Sequence, residues 1–250
     1  MKWLLNNFPR VWLIKISIWF RPILKQIYKG NILTDPIDGS SYRKFLPYGY
    51  QKIRENALCP GTLSLERHRL LWLFLERETK FFEKASKVLH IAPEQPLYKK
   101  FKQFKHWEYK TCDLNSPLAE IKADICNLPF ENNSYDLVLC NHVLEHVLND
   151  KLAIKELFRV LKKGGVLIAQ VPLDLNRKMT FEDPSIIDKA ERKKVFGQYD
   201  HVRIYGKDYF DLLDSAGFES HCISFTEKLS KHEIKKCSLQ SDHSPLAYKN

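Results

Sequence analysis

Residues 64–250 of this 250-residue chain alternate between two kinds of apolar pattern. Short apolar runs, typical of buried strands, occur at 87–92, 107–113, 119–125, 135–141, 166–171, 218–225 and 245–249. Between them, apolar residues recur at helical spacing, most clearly at 65–77, 97–104 and 206–217. Ser64 is the expected N-cap of the first of these helices. Strands that alternate with helices predict a mostly parallel sheet with helices on both faces. We therefore predict a Rossmann-like α/β domain with seven strands over residues 64–250.

Residues 1–30 have a different pattern, in which three tryptophans and other apolar side chains alternate with six basic residues. This composition predicts a basic amphipathic helix, which can lie in a membrane interface. Alternatively, its apolar side packs on this protein's own body or on a second copy. No run is long and clean enough to span a bilayer, and a signal-peptide cleavage site is lacking. We expect a cytoplasmic protein with possible membrane-surface contact through residues 1–28.

Residues 31–63 are rich in turn-forming residues and predict a small separate module. The string Asp35-Pro-Ile-Asp-Gly39 resembles a zinc-ribbon knuckle in which aspartates replace the thiolates, and Cys59 keeps one cysteine of a second knuckle. One thiolate and two carboxylates are a poor ligand set for a structural zinc ion. The module is therefore expected to be a degenerate zinc ribbon that folds without metal.

Charge and cysteine content indicate which kinds of partner and which redox compartment the protein has. The formal net charge is +10, from 40 basic and 30 acidic residues, which suits anionic partners without choosing among them. The basic residues cluster in the hydrophobic N-terminal segment and not along a polar aromatic groove, so nucleic acid is an unfavoured partner. The six cysteines form no C-x-x-C pair and are expected to be free thiols in a reducing compartment.

The central part of the chain contains the most specific motifs. Asp124-Ile-Cys-Asn-Leu-Pro-Phe130 leads into Tyr135-Asp-Leu-Val-Leu-Cys-Asn-His-Val-Leu-Glu-His146, followed by a predicted helix, the Gly164-Gly165 turn and the apolar run 166–171. This arrangement resembles the class I S-adenosylmethionine (SAM)-dependent methyltransferases with a type 11 methyltransferase domain. The resemblance extends over about residues 64–225. It implies that SAM is the cofactor and that the chain transfers a methyl group.

The first loop departs from the usual family pattern. Where the family has an acidic residue followed by glycines, this chain has His90, Ala92, Glu94 and Pro96. The loop is similar to that of a subgroup with a His-Ile-Ala-Pro-Glu string, and the missing glycines exclude a dinucleotide-binding fingerprint. The resemblance implies that His90, Ala92 and Glu94 surround the cofactor, with Glu94 meeting its ammonium group. Alternatively, the prolines merely shape a rigid turn.

Three further strand ends carry expected cofactor contacts. By resemblance, Asp113 binds the ribose hydroxyls beside Leu114, although its carboxylate can equally cap the next segment. Asp124 is expected to bind the adenine amino group, and Ile125 to pack on the ring. The resemblance also places Asn141 and His142 near the methionine part of SAM.

The substrate side is expected in a charged insert, residues 175–205, and at its flanks. Four side chains could position or deprotonate an acceptor: Asp174, Asp200, His201 and Arg203. The alternative is an ordinary lid held by salt bridges. His201 and His142 are the candidate general bases, needed only for a hydroxyl or protonated amine acceptor. His142 and His146 have the spacing of a metal pair, but the sequence shows no third ligand, so no metal site is expected.

The favoured function is therefore SAM-dependent methyl transfer to an unidentified small molecule, lipid or glycan. A non-catalytic binding protein of the same fold is a second hypothesis, suggested by the missing glycines. A nucleic-acid methyltransferase is a third, suggested by the net charge. The acceptor and the oligomeric state do not follow from the sequence.

Overall fold

The computed structural model describes residues 20–49, 53–240 and 244–250. These residues form two compact units. The first contains the described residues up to Phe82, the segment Gln95–Lys100, and residues 225–240. The second contains Glu83–Glu94, Phe101–Ser224 and residues 244–250. Residues 64–82, which we predicted as the start of the large domain, thus cluster with the first unit.

The secondary structure of the described chain consists of strands and short-to-medium helices. The strands are β1 (Lys29–Thr34), β2 (Ser41–Tyr42), β3 (Leu46–Tyr48), β4 (Arg54–Leu58), β5 (Ser86–Ile91), β6 (Trp107–Cys112), β7 (Tyr135–Cys140), β8 (Leu161–Ile168), β9 (Phe181–Glu182), β10 (Arg203–Ile204), β11 (Glu219–Ile223) and β12 (Ser244–Tyr248). The helices are α1 (Glu66–Glu78), α2 (Gln95–Phe101), α3 (Asp150–Val160), α4 (Lys189–Val195), α5 (Tyr209–Ser215) and α6 (Lys231–Lys236). Single 3-10 turns lie at Leu144–His146 and Phe225–Lys228.

The second unit is built on a sheet with the strand order β11-β12-β8-β7-β5-β6. Strands β6, β5, β7 and β8 run parallel, and β12 pairs antiparallel with both β8 and β11. This arrangement confirms a Rossmann-like α/β fold with a mostly parallel sheet. Nearly every position of β5 and β7 is buried, as in a strand covered on both faces.

The sheet has six strands among the described residues, where the sequence predicted seven. The predicted third strand, 119–125, pairs with β6 only through a bridge between Cys112 and Ile121. The chain then turns away, because the Asp124 carboxylate accepts a hydrogen bond from the backbone N–H of Cys126 at 2.9 Å. An aspartate that binds the backbone two residues later favours a turn over a strand.

The connection between α3 and β8 also differs from the prediction. Helix α3 ends at Val160, and the chain enters β8 at once, so Gly164 and Gly165 lie inside that strand. Tyr135 pairs with Leu161, but Leu137 pairs with Val166, which places the glycines in a bulge. Gly164 has a φ of +76°, a left-handed conformation that glycine adopts without a steric cost.

In the first unit, the predicted knuckle is a hydrogen-bonded turn. Asp35 is fully buried, and its carboxylate accepts hydrogen bonds from Ile37 N at 2.9 Å, Ser64 Oγ at 2.6 Å and Thr62 Oγ1. Burial raises the pKa of the nearby Cys59 thiol to about 12, and the charge of Asp35 contributes. Cys59 is therefore a protonated thiol at neutral pH, in contrast to the thiolate of a zinc knuckle.

Arg69 of α1 holds the same unit together. Its buried guanidinium donates hydrogen bonds to the carbonyl oxygens of Ala57 (3.1 Å), Ser64 (2.9 Å), Cys237 (2.8 Å) and Ser238 (2.8 Å). One side chain thus satisfies carbonyl groups from three separate segments of the unit.

The predicted cap of α1 is wrong by one residue. We expected Ser64 to begin the helix, but its hydroxyl binds Asp35, and Leu65 occupies the N-cap position. Leu65 N instead donates to the Nδ1 atom of His68 at 3.0 Å. The buried carboxylate competes successfully for the serine hydroxyl because a charged acceptor forms the stronger hydrogen bond.

The predicted N-terminal helix lies mostly outside the described residues, which begin at Phe20. Residues 20–27 are helical, and their apolar side chains Phe20, Ile23 and Ile27 are each 53% exposed. In the described part of the chain, we find no helix long and apolar enough to cross a membrane.

We expect Arg69→Met to lower the free energy of unfolding by about 3 kcal/mol or more, since it leaves several buried carbonyl groups without donors. Urea denaturation followed by circular dichroism measures this change. The matched control is Arg77→Met on the same helix. Its side chain is 42% exposed and binds Glu233, so its loss should cost under about 1 kcal/mol. Equal effects of the two substitutions would contradict the bracing role of Arg69.

Candidate functional site

The residues expected to bind the cofactor lie along one edge of the sheet. In the parallel register, Ile91 pairs with Cys112 on one side and with Cys140 on the other. Ala92, Asp113 and Asn141 directly follow this row on their strands. They therefore lie beyond the carboxyl ends of neighbouring strands, where open α/β sheets bind ligands.

The backbone at Ala92 has the conformation of a glycine. Its φ is +49°, and its N–H donates to the carbonyl oxygen of Cys112 at 2.8 Å. A left-handed alanine costs roughly 1–2 kcal/mol, so the surrounding structure must hold it in place. His142, after β7, is also left-handed, with a φ of +53°, and its N–H donates to Gln170 O at 2.7 Å. The glycine-free loop thus keeps the turn that glycines usually make.

Asp113 caps the turn that follows it, as the alternative for this residue proposed. Its Oδ1 atom accepts hydrogen bonds from the backbone N–H groups of Asn115, at 2.7 Å, and Ser116, so the carboxylate caps the following turn. The second oxygen, Oδ2, has no hydrogen-bond partner among residues 20–49, 53–240 and 244–250. The neighbouring Leu114 is exposed.

A polar chain connects the first loop with the end of β7. His90 is fully buried, and its Nδ1 atom is 2.8 Å from the hydroxyl of Tyr109. Its Nε2 atom is 3.6 Å from Glu94 Oε2, which also accepts a hydrogen bond from Asn141 Nδ2 at 3.2 Å. His90 therefore lies beneath the edge beside Glu94, but its Nε2 atom makes no hydrogen bond to a described residue. The Oδ1 atom of Asn141 is buried and has no hydrogen-bond partner among the described residues.

Asp124 and Ile125 lie at the end of the bridged segment beside β6. Asp124 is exposed, and one of its oxygens accepts from Cys126 N. Ile125 is largely buried and packs in the core with Leu128. The structure thus places the apolar side chain mainly in the core, with the carboxylate at the surface.

A second polar cluster follows Asn141. His142 Nδ1 is 3.2 Å from Oε1 of Glu145, a residue that is only 1% exposed. Burial alone would raise the pKa of Glu145, but the hydrogen bond from His142 and the charges of His142 and His146 outweigh it and lower the pKa. Glu145 is therefore a buried carboxylate, and its Oε2 atom has no hydrogen-bond partner among the described residues.

The insert contributes His201 to this cluster. His201 is 3% exposed, and its ring lies 4.8 Å from the ring of His146 in an edge-to-face arrangement. Burial lowers the pKa of His201, and the nearby charge of Glu145 opposes this shift. The nearest ligand-type atoms of Glu145, His146 and His201 all lie within 4.8 Å of one another. Asp200 is adjacent, with its backbone oxygen 3.2 Å from His146 Nδ1.

The two remaining substrate candidates have other roles. Arg203 is buried and donates to the carbonyl oxygens of Leu144 (2.9 Å) and Leu148 (3.0 Å), so it braces the loop after β7 and does not face a substrate. Asp174 caps the backbone of Asn176 and lies 3.2 Å from Arg177. The structure therefore brings together His142, Asp200 and His201, but neither Asp174 nor Arg203.

Glu145 was not among the predicted site residues. Its carboxylate nevertheless lies in this cluster, within 4.8 Å of ligand-type atoms of His146 and His201. The spacing of His142, Glu145 and His146 was a visible signal. The participation of His201 could not be predicted, because this residue lies in an insert far along the chain.

Comparisons with known proteins find similarity to methyltransferases over part of the chain. A family model described as a methyltransferase domain matches residues 74–169. An uncharacterized protein of Methanocaldococcus jannaschii is 46% identical over 97 residues, which are 38% of this chain and 38% of that protein. A protein of Mycolicibacterium smegmatis, named as a probable SAM-dependent methyltransferase, is 27% identical over 104 residues, 41% of this chain and 36% of that protein. The chain spans well under two thirds of the length of these relatives.

A solved structure supports the fold over a longer range. The [4+2]-cyclase SpnF is 13% identical to this chain, covers 94% of it with 95% of its own length, and superposes with a TM-score of 0.53. At this identity the likeness shows the fold alone.

The edge of the sheet fits an adenosyl cofactor. Ala92 has the backbone turn that lets a ligand approach, Asp113 has an uncommitted oxygen, and Asn141 has a buried oxygen without a partner. These features lie within or beside the segment that matches the family model. Residues 74–169 are therefore similar in sequence to a methyltransferase domain, and the edge of the sheet that they contribute suits the SAM cofactor of such domains.

Proposed function

We propose that the whole protein transfers a methyl group from SAM to an acceptor held beside the cluster of His142, Glu145, His146 and His201. The observation that carries this proposal is the buried, unpartnered Oδ1 atom of Asn141 next to the left-handed turn at Ala92. An unpaired buried oxygen costs roughly 1–3 kcal/mol unless a ligand satisfies it. A donor group of the cofactor would do so.

Each carboxylate at the edge then has a defined task. The free oxygen of Asp113 accepts hydrogen bonds from the ribose hydroxyls, while its other oxygen keeps the turn in place. Glu94 and Asn141 bind the ammonium group of the methionine part, and the hydrogen bond from Asn141 Nδ2 holds Glu94 in place. The exposed carboxylate of Asp124 accepts from the adenine amino group. SAM itself supplies a methyl group on a positively charged sulfur.

The residues on the acceptor side chiefly position the reacting atom. A lone pair of the acceptor's oxygen or nitrogen forms the new bond to carbon as the carbon–sulfur bond breaks, and the sulfur leaves as a neutral thioether. No acid is needed to expel it, so alignment is the largest contribution. The unpartnered nitrogens of His142 and His201 can accept a hydrogen bond from an acceptor hydroxyl or amine.

The class of acceptor and the membrane contact are also part of the proposal. A small molecule, a lipid or a glycan would suit the polar cluster. The exposed apolar side chains at Phe20, Ile23 and Ile27 support contact with a membrane surface, since they recur at helical spacing beside basic residues.

We expect Asp113→Asn to weaken SAM binding about 10- to 150-fold, the scale of a lost charge-assisted hydrogen bond. Asparagine keeps one oxygen for the capped turn and replaces the ribose-facing oxygen with a donor. Isothermal titration calorimetry measures the change, and Asp211→Ala, an exposed position on α5, is the control. Unchanged SAM affinity in Asp113→Asn would refute the ribose assignment.

We expect the full chain to sediment with anionic liposomes and the triple variant Phe20→Ser, Ile23→Ser, Ile27→Ser to sediment less, because the apolar face is removed while the charge is kept. Neutral liposomes are the lipid control. Equal sedimentation of the two proteins would exclude membrane contact through this helix face.

A further inference from the structure

We propose that Glu145, His146 and His201 bind one divalent transition-metal ion of the Zn²⁺ type. Their ligand-type atoms lie within 4.8 Å of one another. Two imidazoles and one carboxylate form a ligand set found in zinc enzymes, where a further coordination position stays open for water or substrate. The site deepens the proposed acceptor side, and in that respect it rests on the proposed function.

The first argument is the lack of partners at buried atoms. The Oε2 atom of Glu145 is buried without a hydrogen-bond partner among the described residues, and neither ring nitrogen of His201 makes a hydrogen bond of normal geometry there, although the backbone of Phe196 is close enough to one of them to interact. The Glu145 and His201 side chains are 1% and 3% exposed. Native proteins rarely leave such atoms unpaired, because an unsatisfied buried polar atom destabilises the folded state. A bound cation would satisfy a carboxylate oxygen and an imidazole nitrogen together.

The second argument is the orientation of His146. Its Nδ1 atom is 3.2 Å from the carbonyl oxygen of Asp200, which can only accept, so Nδ1 must donate. In the neutral ring this leaves Nε2 without a proton, as metal ligation requires. Metal-binding histidines commonly donate their other N–H to a carbonyl oxygen or carboxylate in this way.

Glu145 is oriented in the same manner. Its Oε1 atom lies 3.2 Å from His142 Nδ1, which leaves Oε2 for the metal. His142 thus acts on the site through Glu145. His201 is placed by its chain neighbour, because the N–H of Val202 donates to the carbonyl oxygen of Glu145 at 2.9 Å. Both buried ligands are therefore fixed by contacts outside the proposed coordination sphere.

The ligand atoms would have to come closer together when a metal binds. They lie within 4.8 Å of one another, whereas ligands of a tetrahedral zinc ion lie about 3.4 Å apart, given metal–ligand distances near 2.1 Å. His146 is the exposed member of the three and the least confined by packing. The open position would hold an acceptor hydroxyl and ease loss of its proton to solvent. The oxygen lone pair then forms the carbon–oxygen bond as the carbon–sulfur bond breaks.

The test is metal binding by the full-length protein after removal of metals with a chelator. Co²⁺ titration followed by visible absorption reports both affinity and geometry, and mass spectrometry measures zinc in the untreated protein. We expect one ion per chain. His201→Gln, Glu145→Gln and His146→Gln should each weaken binding at least about 100-fold, more than loss of an outer contact does. The control is His232→Gln, an exposed histidine on α6.

Two safeguards make the result decisive. His146 is exposed, so His146→Gln tests the site even if the two buried variants fold poorly, and thermal melting checks each protein. Absence of stoichiometric binding in wild type, or wild-type affinity in His146→Gln, would overturn the metal site. SAM affinity measured on the same samples separates the hypotheses: intact SAM binding without metal binding removes only the metal, and the reverse removes only the proposed cofactor site.

Discussion

The arrangement of the acceptor side depends on one buried guanidinium, that of Arg203. It donates to the carbonyl oxygens of Leu144, Val147 and Leu148 and lies 3.0 Å from the carboxylate of Glu182. A buried charge is tolerated only where its donors are satisfied, so this loop and the insert must adopt one relative position. Since His201 lies two residues before Arg203, the same contacts set its ring opposite Glu145. The insert is thus fastened to the loop after β7 and is part of the site.

The sequence predicted the cofactor side better than the acceptor side, for a physical reason. Ala92, Asp113 and Asn141 follow apolar strands, and parallel pairing brings the ends of such strands to one edge whatever their exact bounds. The placement of His201 and Arg203 depends instead on hydrogen bonds between distant segments. Local patterns contain no information on such contacts. The sequence therefore predicted that Arg203 contacts the substrate, whereas the structure buries it.

The same distinction explains the errors in the fold. Apolar content predicted a strand at 119–125, but strand pairing competes there with the local hydrogen bond of the Asp124 side chain. At α1, the cap assigned to Ser64 was lost to a buried carboxylate from another segment, that of Asp35. In both places a side-chain oxygen forms a hydrogen bond that the pattern of apolar and polar residues does not predict.

The first loop shows why the fold and the reaction must be argued separately. A [4+2]-cyclase shares this fold, so the sheet does not define the chemistry. The first loop bears more directly on the chemistry. In place of conformationally free glycines, it has the strained Ala92 and the carboxylate of Glu94. Glycines would let the backbone approach a cofactor at no steric cost. Here Ala92 adopts the strained conformation, and Glu94, which accepts a hydrogen bond from Asn141, adds a negative charge where a cationic ligand group would lie. Strain at this edge of the sheet, next to a carboxylate held by Asn141, is better explained by ligand binding than by stability alone.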